Sequence, residues 1–273
     1  MPISREPINL HWLGHPVTLL AIGEDNEEAF TVLLTRVSPA QGMKARIHFN
    51  EATAYYILSG VLQFFVGGRE LTLTAGEFVF VPQGTAQKFH NPGSQSARIV
   101  IVCAPAGYDG FLLATGSPRS PEGTESAPIT ARELDRVKVL AHQYRLDLYP
   151  GPETFRESSG TNVPYGGTAK DSTGSGVQSG SLAEKAYASD RLALRELTIG
   201  AGGESTIDGS ETDRRSLYVI EGNITAGTGQ NAISATEGAL LNFGKQASLK
   251  VSHDSGEKAR VLLLTFPDQP RSA

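Results

Sequence analysis

Residues 76–91, GEFVFVPQGTAQKFHN, decide the fold. Phe78 to Val81 is a short run of aromatic and β-branched side chains, closed by the turn Pro82-Gln83-Gly84. Beyond the turn the chain resumes as a strand. Side chains alternate along an extended chain, so Gln87, Phe89 and Asn91 share one face and His90 points to the other. Ala75-Gly76 in front and Asn91-Pro92-Gly93 behind are turn signals. Strand, tight turn and strand in one short window predict antiparallel β structure.

The same punctuation runs outward. Val17 to Ile22, Ala29 to Val37, Tyr55 to Leu58, Leu62 to Val66 and Arg98 to Cys103 are β-rich runs, parted by Ser59-Gly60 and Gly67-Gly68. With 30 glycines and 15 prolines in 273 residues, the chain is broken often enough for one strand per roughly 8–12 residues. That is the rhythm of a sandwich or barrel, and it predicts an all-β protein. One helix interrupts it. Thr130-Ala131-Arg132-Glu133 has capping-box form, and Leu134, Val137, Leu140 and Ala141 follow at helical spacing, which predicts a helix near 131–143.

Pro150 to Gly180 is polar, with a low-complexity run from Gly167 to Gly180, and is expected to be a connection. From Leu192 the strands resume: Leu192 to Ile199, Ser216 to Ile220, Ile224 to Gly227, Ala239 to Phe243, Ser248 to Val251 and Arg260 to Phe266. Tyr55 to Gly60 and Ser216 to Gly222 match in outline, each leading into a glycine-bounded hairpin. A duplicated β-domain is the economical explanation. The expected organisation is an N-terminal domain over 1–150, a connecting segment over 151–184 and a second domain over 185–273.

Composition narrows the function. No apolar run approaches ~18 residues, so no membrane-spanning helix is expected. Met1 to Leu10 lacks the apolar core of a secretory leader, and the single Cys103 cannot form an internal disulfide; both favour a cytoplasmic location. A net charge of −5 without a basic cluster argues against nucleic acid as a partner.

Gly76, Pro82, Gly84 and Asn91 fit, at every spacing, the second sequence motif of the cupin superfamily. His11-Trp12-Leu13-Gly14 through Gly23-Glu24-Asp25, together with Ala104-Pro105-Ala106-Gly107, resembles the quercetin 2,3-dioxygenase-type bicupins. The resemblance is specific over about 1–150 and holds in outline over 185–267. It implies two cupin domains of the double-stranded β-helix, or jelly-roll, type. It also implies a divalent metal held by two histidines and a glutamate of the first motif and a histidine of the second. Carried over, the two histidine positions fall on Arg46 and His48, the glutamate position on Thr53 and the second-motif histidine on Gln87. A guanidinium is no ligand and repels a cation, so neither a metal nor another cofactor is expected. Sliding the register offers His48, Asn50 and Glu51, at a spacing too short for the family pattern. In the second half, counting back from Gly222 reaches Asp208, Ser210 and Arg215, with Ser248 or Leu249 in place of the second-motif histidine. That domain is degenerate.

Alternation from the former ligand positions turns Arg46, His48, Thr53, Tyr55, Ile57, Leu62, Phe64, Gln87 and Phe89 inward. The catalytic candidates are His48 as acid/base, Arg46 as holder of an anion where the metal charge stood, and Tyr55 as proton donor. Gln87, Thr53, Ile57, Phe64 and Phe89 are the substrate-binding candidates. Each has a plainer alternative. His48 could simply bond Gln87 or Thr53, Arg46 could pair with Glu51, and Tyr55 could be an aromatic wall. Cys103 is expected to be a buried, inert thiol, and His11, His15, His142 and His253 to lie on surfaces or strand ends.

The function expected from these residues is a metal-independent cupin-fold enzyme. It would isomerise, cyclise, dehydrate or rearrange a hydrophobic oxygenated small molecule of polyketide or phenolic type, as in secondary metabolism. The resemblance alone implies instead a metal-dependent ring-cleaving dioxygenase, and the degenerate second half suggests a non-catalytic ligand-binding bicupin. A hydrophobic small molecule is the expected partner; the resemblance also allows a homodimer. Because no acidic residue occupies a former ligand position, Arg46 should draw negative charge from its ligand.

Overall fold

The computed structural model describes residues 5–119, 130–148, 172–174, 177–181, 192–208, 211–228, 231–245, 248–254 and 258–267. The chain divides into two compact units, one of residues 6–165 and one of residues 166–273 with the first five. Most of the expected connecting segment lies outside the described residues, although 172–174 and 177–181 form strands.

In the first body the strands begin β1 (Ile8–Trp12), β2 (His15–Ala21), β3 (Thr31–Val37), β4 (Gly42–His48), β5 (Ala52–Ser59) and β6 (Val61–Val66). They continue as β7 (Arg69–Thr74), β8 (Phe78–Val81), β9 (Ala86–His90) and β10 (Ala97–Ala104). After these come helix α1 (Tyr108–Thr115), β11 (Ser117–Pro118), helix α2 (Ala131–Gln143) and β12 (Leu146–Leu148). Two sheets result, ordered β11-β1-β2-β3-β10-β5-β8 and β12-β4-β9-β6-β7. The period of two explains the packing. Leu62, Phe64 and Val66 of β6 are fully buried, while Val61, Gln63 and Phe65 between them are only half-buried. Thr130 caps α2 in a reciprocal box with Glu133, and Val137 and Ala141 carry the helix onto the core. α1 is not signalled by periodicity. It is stapled in place by buried Asp109, whose carboxylate accepts from Thr31 Oγ1 at 2.6 Å and from the Gly23 amide at 3.0 Å.

The second body contains β13 (Ser172–Gly174), β14 (Val177–Ser181), β15 (Ala193–Gly200), β16 (Gly203–Asp208), β17 (Arg214–Glu221) and β18 (Asn223–Thr228). It ends with β19 (Asn231–Thr236), β20 (Leu240–Lys245), β21 (Ser248–His253) and β22 (Lys258–Phe266). Its sheets are ordered β13-β14-β15-β22-β17-β20 and β16-β21-β18-β19. The order β3-β10-β5-β8 is thus repeated as β15-β22-β17-β20, and β4-β9-β6-β7 as β16-β21-β18-β19. Single turns repeat as well. Gly76 N donates to Ile57 O at 2.9 Å, and Gly238 N donates to Val219 O at 2.9 Å. The duplication read from Gly60 and Gly222 is a real repeat of an eight-strand jelly-roll sandwich. β7 and β19 escaped the apolar-run reading because each is an edge strand with only one buried side chain.

Gly60 and Gly222 are the repeated pivots. Both have positive φ, +83° and +80°, and a Cβ on Gly60 would come 2.7 Å from the Ala97 Cα. Gly76 has φ of +86°, but open space surrounds it. Left-handed backbone costs an L-residue roughly 1–2 kcal/mol. Gly76→Ala is therefore expected to lose about that much in urea unfolding. Gly60→Ala should lose clearly more, because the backbone of β10 must also shift.

Candidate functional site

β4 and β9 lie side by side with Arg46 opposite Gln87, while β5 crosses on the facing sheet and brings Tyr55 inward. A continuous buried polar row links them. Arg46 Nη2 donates to the Tyr55 hydroxyl at 2.7 Å, which donates in turn to Gln87 Oε1 at 2.7 Å. Arg46 Nε donates to His48 Nε2 at 3.3 Å. An accepting Nε2 places the imidazole proton on Nδ1, which faces Glu51 Oε2 at 3.4 Å, a distance too long for a good hydrogen bond. Glu51 comes from the short link between β4 and β5, and its Oε1 lies against Gly107, where a Cβ would stand 2.9 Å away. Tyr108, the first residue of α1, packs edge-on against His48 with ring centroids 4.8 Å apart.

All five members of the row are at most 2% exposed. Burial holds the His48 imidazole below its ordinary value, and Arg46 pushes the same way against the opposing pull of Glu51. His48 is thus neutral at pH 7. Burial pushes the Tyr55 phenol up to about 12, with Arg46 partly offsetting it. The Arg46 guanidinium also sits 5.5 Å from the Phe89 ring centroid, near enough for a cation–π contribution.

The structure brings Arg46, His48, Tyr55 and Gln87 together. It places Thr53 beside them on β5, buried. Ile57, Phe64 and Phe89 are in the hydrophobic core, where Tyr55, Phe64 and Phe89 pack ring on ring at 5.1–5.7 Å. His48 bonds neither Gln87 nor Thr53, and no carboxylate among the described residues lies within ion-pairing distance of Arg46. Glu51 pairs across the imidazole instead. Sequence reasoning rejected Glu51 as a metal ligand on its spacing and offered it as a partner for Arg46; its i,i+3 offset from His48 was the available signal. Tyr108 carried no signal at all. Cys103 is fully buried, with its thiol pushed up by desolvation. His15 and His253 stand at strand ends yet are buried, bonded to Gly42 O at 3.1 Å and Asn223 O at 2.7 Å.

The donor set does not fit the divalent metal that the fold suggests. Arg46 sets a fixed positive charge directly against His48 Nε2, and the carboxylate of Glu51 faces the other imidazole nitrogen. Among the described residues, no group of three or more histidine, cysteine, aspartate or glutamate side chains could hold a metal. In the second body the strand pairing corrects the residue-by-residue count. Arg46 lies opposite Gln87, and its counterpart opposite Leu249 is Ile207, not Asp208. One extra residue between β16 and β17 causes the slip, and a slip of one turns Asp208 outward to solvent. Tyr55, Phe64 and Phe89 correspond to Leu217, Ala226 and Val251, so the polar row becomes plain apolar core.

A buried neutral histidine makes stability depend on pH with a definite sign. His48 and His15 both have folded-state values below 6.5, mainly through burial. The unfolded chain therefore binds protons first as pH falls. Their contribution is complete above about pH 6.5 and is lost below it, by at most about 1.4 kcal/mol per pH unit for each proton. Urea unfolding between pH 7.5 and 5 should show this fall, and His48→Gln should make it shallower. A slope unchanged by His48→Gln would mean that the imidazole takes up its proton equally in the folded and unfolded chains, and that burial does not hold it neutral.

Comparison with known proteins agrees with the fold. Residues 33–103 match the Cupin domain family. A 78-residue stretch is 30% identical to mannose-1-phosphate guanylyltransferase 2 of Escherichia coli O157:H7, covering 29% of this chain but only 16% of that protein. Among solved structures, procruciferin, an 11S globulin of Brassica napus, superposes with a TM-score of 0.66 at 14% identity, over 98% of this chain and 84% of its own. Bacillus subtilis oxalate decarboxylase, a protein with Mn(II) centres, superposes with a TM-score of 0.63 at 14% identity, over 100% of this chain and 78% of its own. At such identities the likeness concerns fold, and the fold serves both a decarboxylase and a globulin. The chain thus carries the cupin fold twice, with the Cupin domain match in the body that holds the buried polar row.

Proposed function

We propose that the first body is a small-molecule site working by acid/base chemistry without a metal. The observation that carries this reading is the buried hydrogen-bonded row Gln87–Tyr55–Arg46–His48, with Glu51 3.4 Å beyond the imidazole. His48 is a neutral base whose Nε2 is held only by a long contact from Arg46. A C–H beside a carbonyl gives its proton to that nitrogen, the electron pair moves onto the carbonyl oxygen, and Arg46 holds the resulting enolate. The present acceptors of Arg46 are neutral, so an oxyanion outcompetes them. Return of the proton to a different atom completes an isomerisation; loss of a neighbouring hydroxyl as water completes a dehydration. The Glu51 carboxylate, 3.4 Å from Nδ1, favours a proton on that nitrogen electrostatically, and Tyr55 is a protonated phenol able to supply a hydrogen bond. The aromatic surroundings suit a phenolic or polyketide-like compound.

The ring-cleaving dioxygenase reading needs a metal that these donors do not suit. A purely binding role draws support from the apolar second body and from the globulin neighbour. One experiment separates the three. The purified chain is stripped with chelator and incubated with a panel of phenolic and polyketide-like carbonyl compounds, with products followed by mass spectrometry. Turnover should survive stripping, fall roughly 100-fold or more in His48→Gln, and fall about 10- to 100-fold in Arg46→Met. Turnover that requires added metal would favour the dioxygenase. Saturable binding without product would favour the binding protein.

A further inference from the structure

The second body has lost the polar row but has gained one buried charge. Thr53 lies opposite Cys103 on β10, and Arg215 occupies the matching place opposite Thr265 on β22. Arg215 is 2% exposed. Its Nη1 donates to Ile207 O at 2.9 Å, whereas Nε and Nη2 are buried and have no partner. Those two N–H groups lie along the same edge of the guanidinium, the edge that grips a carboxylate through two parallel hydrogen bonds. No carboxylate among the described residues lies within ion-pairing distance. Asp213 and Asp208 act on the guanidinium only as neighbouring charges. Buried charges are normally paired, and a guanidinium left open on its bidentate edge is the signature of a missing anion.

Across the ladder Arg215 faces Gly244, a half-exposed residue with no side chain of its own to meet the guanidinium. Ile207, Leu217 and Leu249 make the adjoining interior apolar. We propose that the open Nε–Nη2 edge of Arg215 anchors a binding site for a small organic carboxylate in the second body. A single fork of donors against apolar walls selects a planar two-oxygen anion with little further polarity. The site is independent of the chemistry proposed for the first body.

Acetate is the probe. The full chain, labelled with ¹⁵N, is titrated with sodium acetate against sodium chloride at constant ionic strength while the arginine Nε–H resonances are followed. The Arg215 signal is the one missing from Arg215→Lys, a variant that keeps the charge but lacks the fork. Acetate should shift that resonance saturably and raise the melting temperature of the natural chain. Arg215→Lys should bind acetate at least 10-fold more weakly. An Nε–H set that acetate leaves unmoved overturns the proposal, and so does an equal response to chloride or inorganic phosphate. Should Arg215→Lys fail to fold, the melting-temperature comparison of acetate with chloride and phosphate on the natural chain decides alone.

Discussion

One hydrogen bond organises the polar interior of the first body: the 2.7 Å contact from the Arg46 guanidinium to the Tyr55 hydroxyl. Its donor belongs to the sheet that contains β4, its acceptor to the sheet that contains β5, so it crosses the sandwich interior. A charge buried there demands acceptors, and every polar group around it is arranged to provide them. Tyr55 passes the demand on to Gln87, and His48 meets it through Nε2. Hydrogen bonds to charged groups contribute roughly 1.5–3 kcal/mol each, and stranding a buried charge by removing its partner costs about 3–5 kcal/mol. The row is therefore a rigid unit, and rigidity is what a site needs to hold one imidazole tautomer and one orientation.

The two bodies show how one frame supports opposite interiors. Strand order, the bonds at Gly76 and Gly238 and the pivots at Gly60 and Gly222 repeat almost position for position. Interior side chains do not. Where the first body sets Arg46, Tyr55 and Gln87, the second sets Ile207, Leu217 and Leu249. Sheet pairing depends on backbone and on burial of one face, so apolar residues can replace the polar row without disturbing the ladder. The polar row is not needed to make the fold, which is why it points to a ligand. The same logic makes Arg215 conspicuous: the frame does not require it, and it is buried with two of its three guanidinium nitrogens unmet.

Much of the fold was legible in the residues. Gly76 to Asn91, the Thr130 capping box and the repeated Gly60 and Gly222 hairpins are local signals, and local signals survive without knowledge of distant partners. The inward set was legible too, because alternation places Arg46, His48, Tyr55 and Gln87 on one side of their strands. Edge strands β7 and β19 and helix α1 were not. Edges lack an apolar run, and α1 is held by Asp109 reaching back to Gly23 and Thr31, a contact no local pattern announces. The function of this inward set is read from chemistry, since the fold serves unrelated roles.

The sequence by itself determined an all-β duplicated architecture, because strand alternation and turn residues are local signals. The tertiary structure alone decided which polar groups meet. It turned Glu51 toward His48, brought Tyr108 over the imidazole, shifted the second-body counterpart of Arg46 from Asp208 to Ile207, and left the outer edge of Arg215 open. Those outcomes depend on loop length, strand register and bulges, where a displacement of one residue reverses a side chain's face. A linear count cannot see that displacement; the pairing of strands across the sheet fixes it.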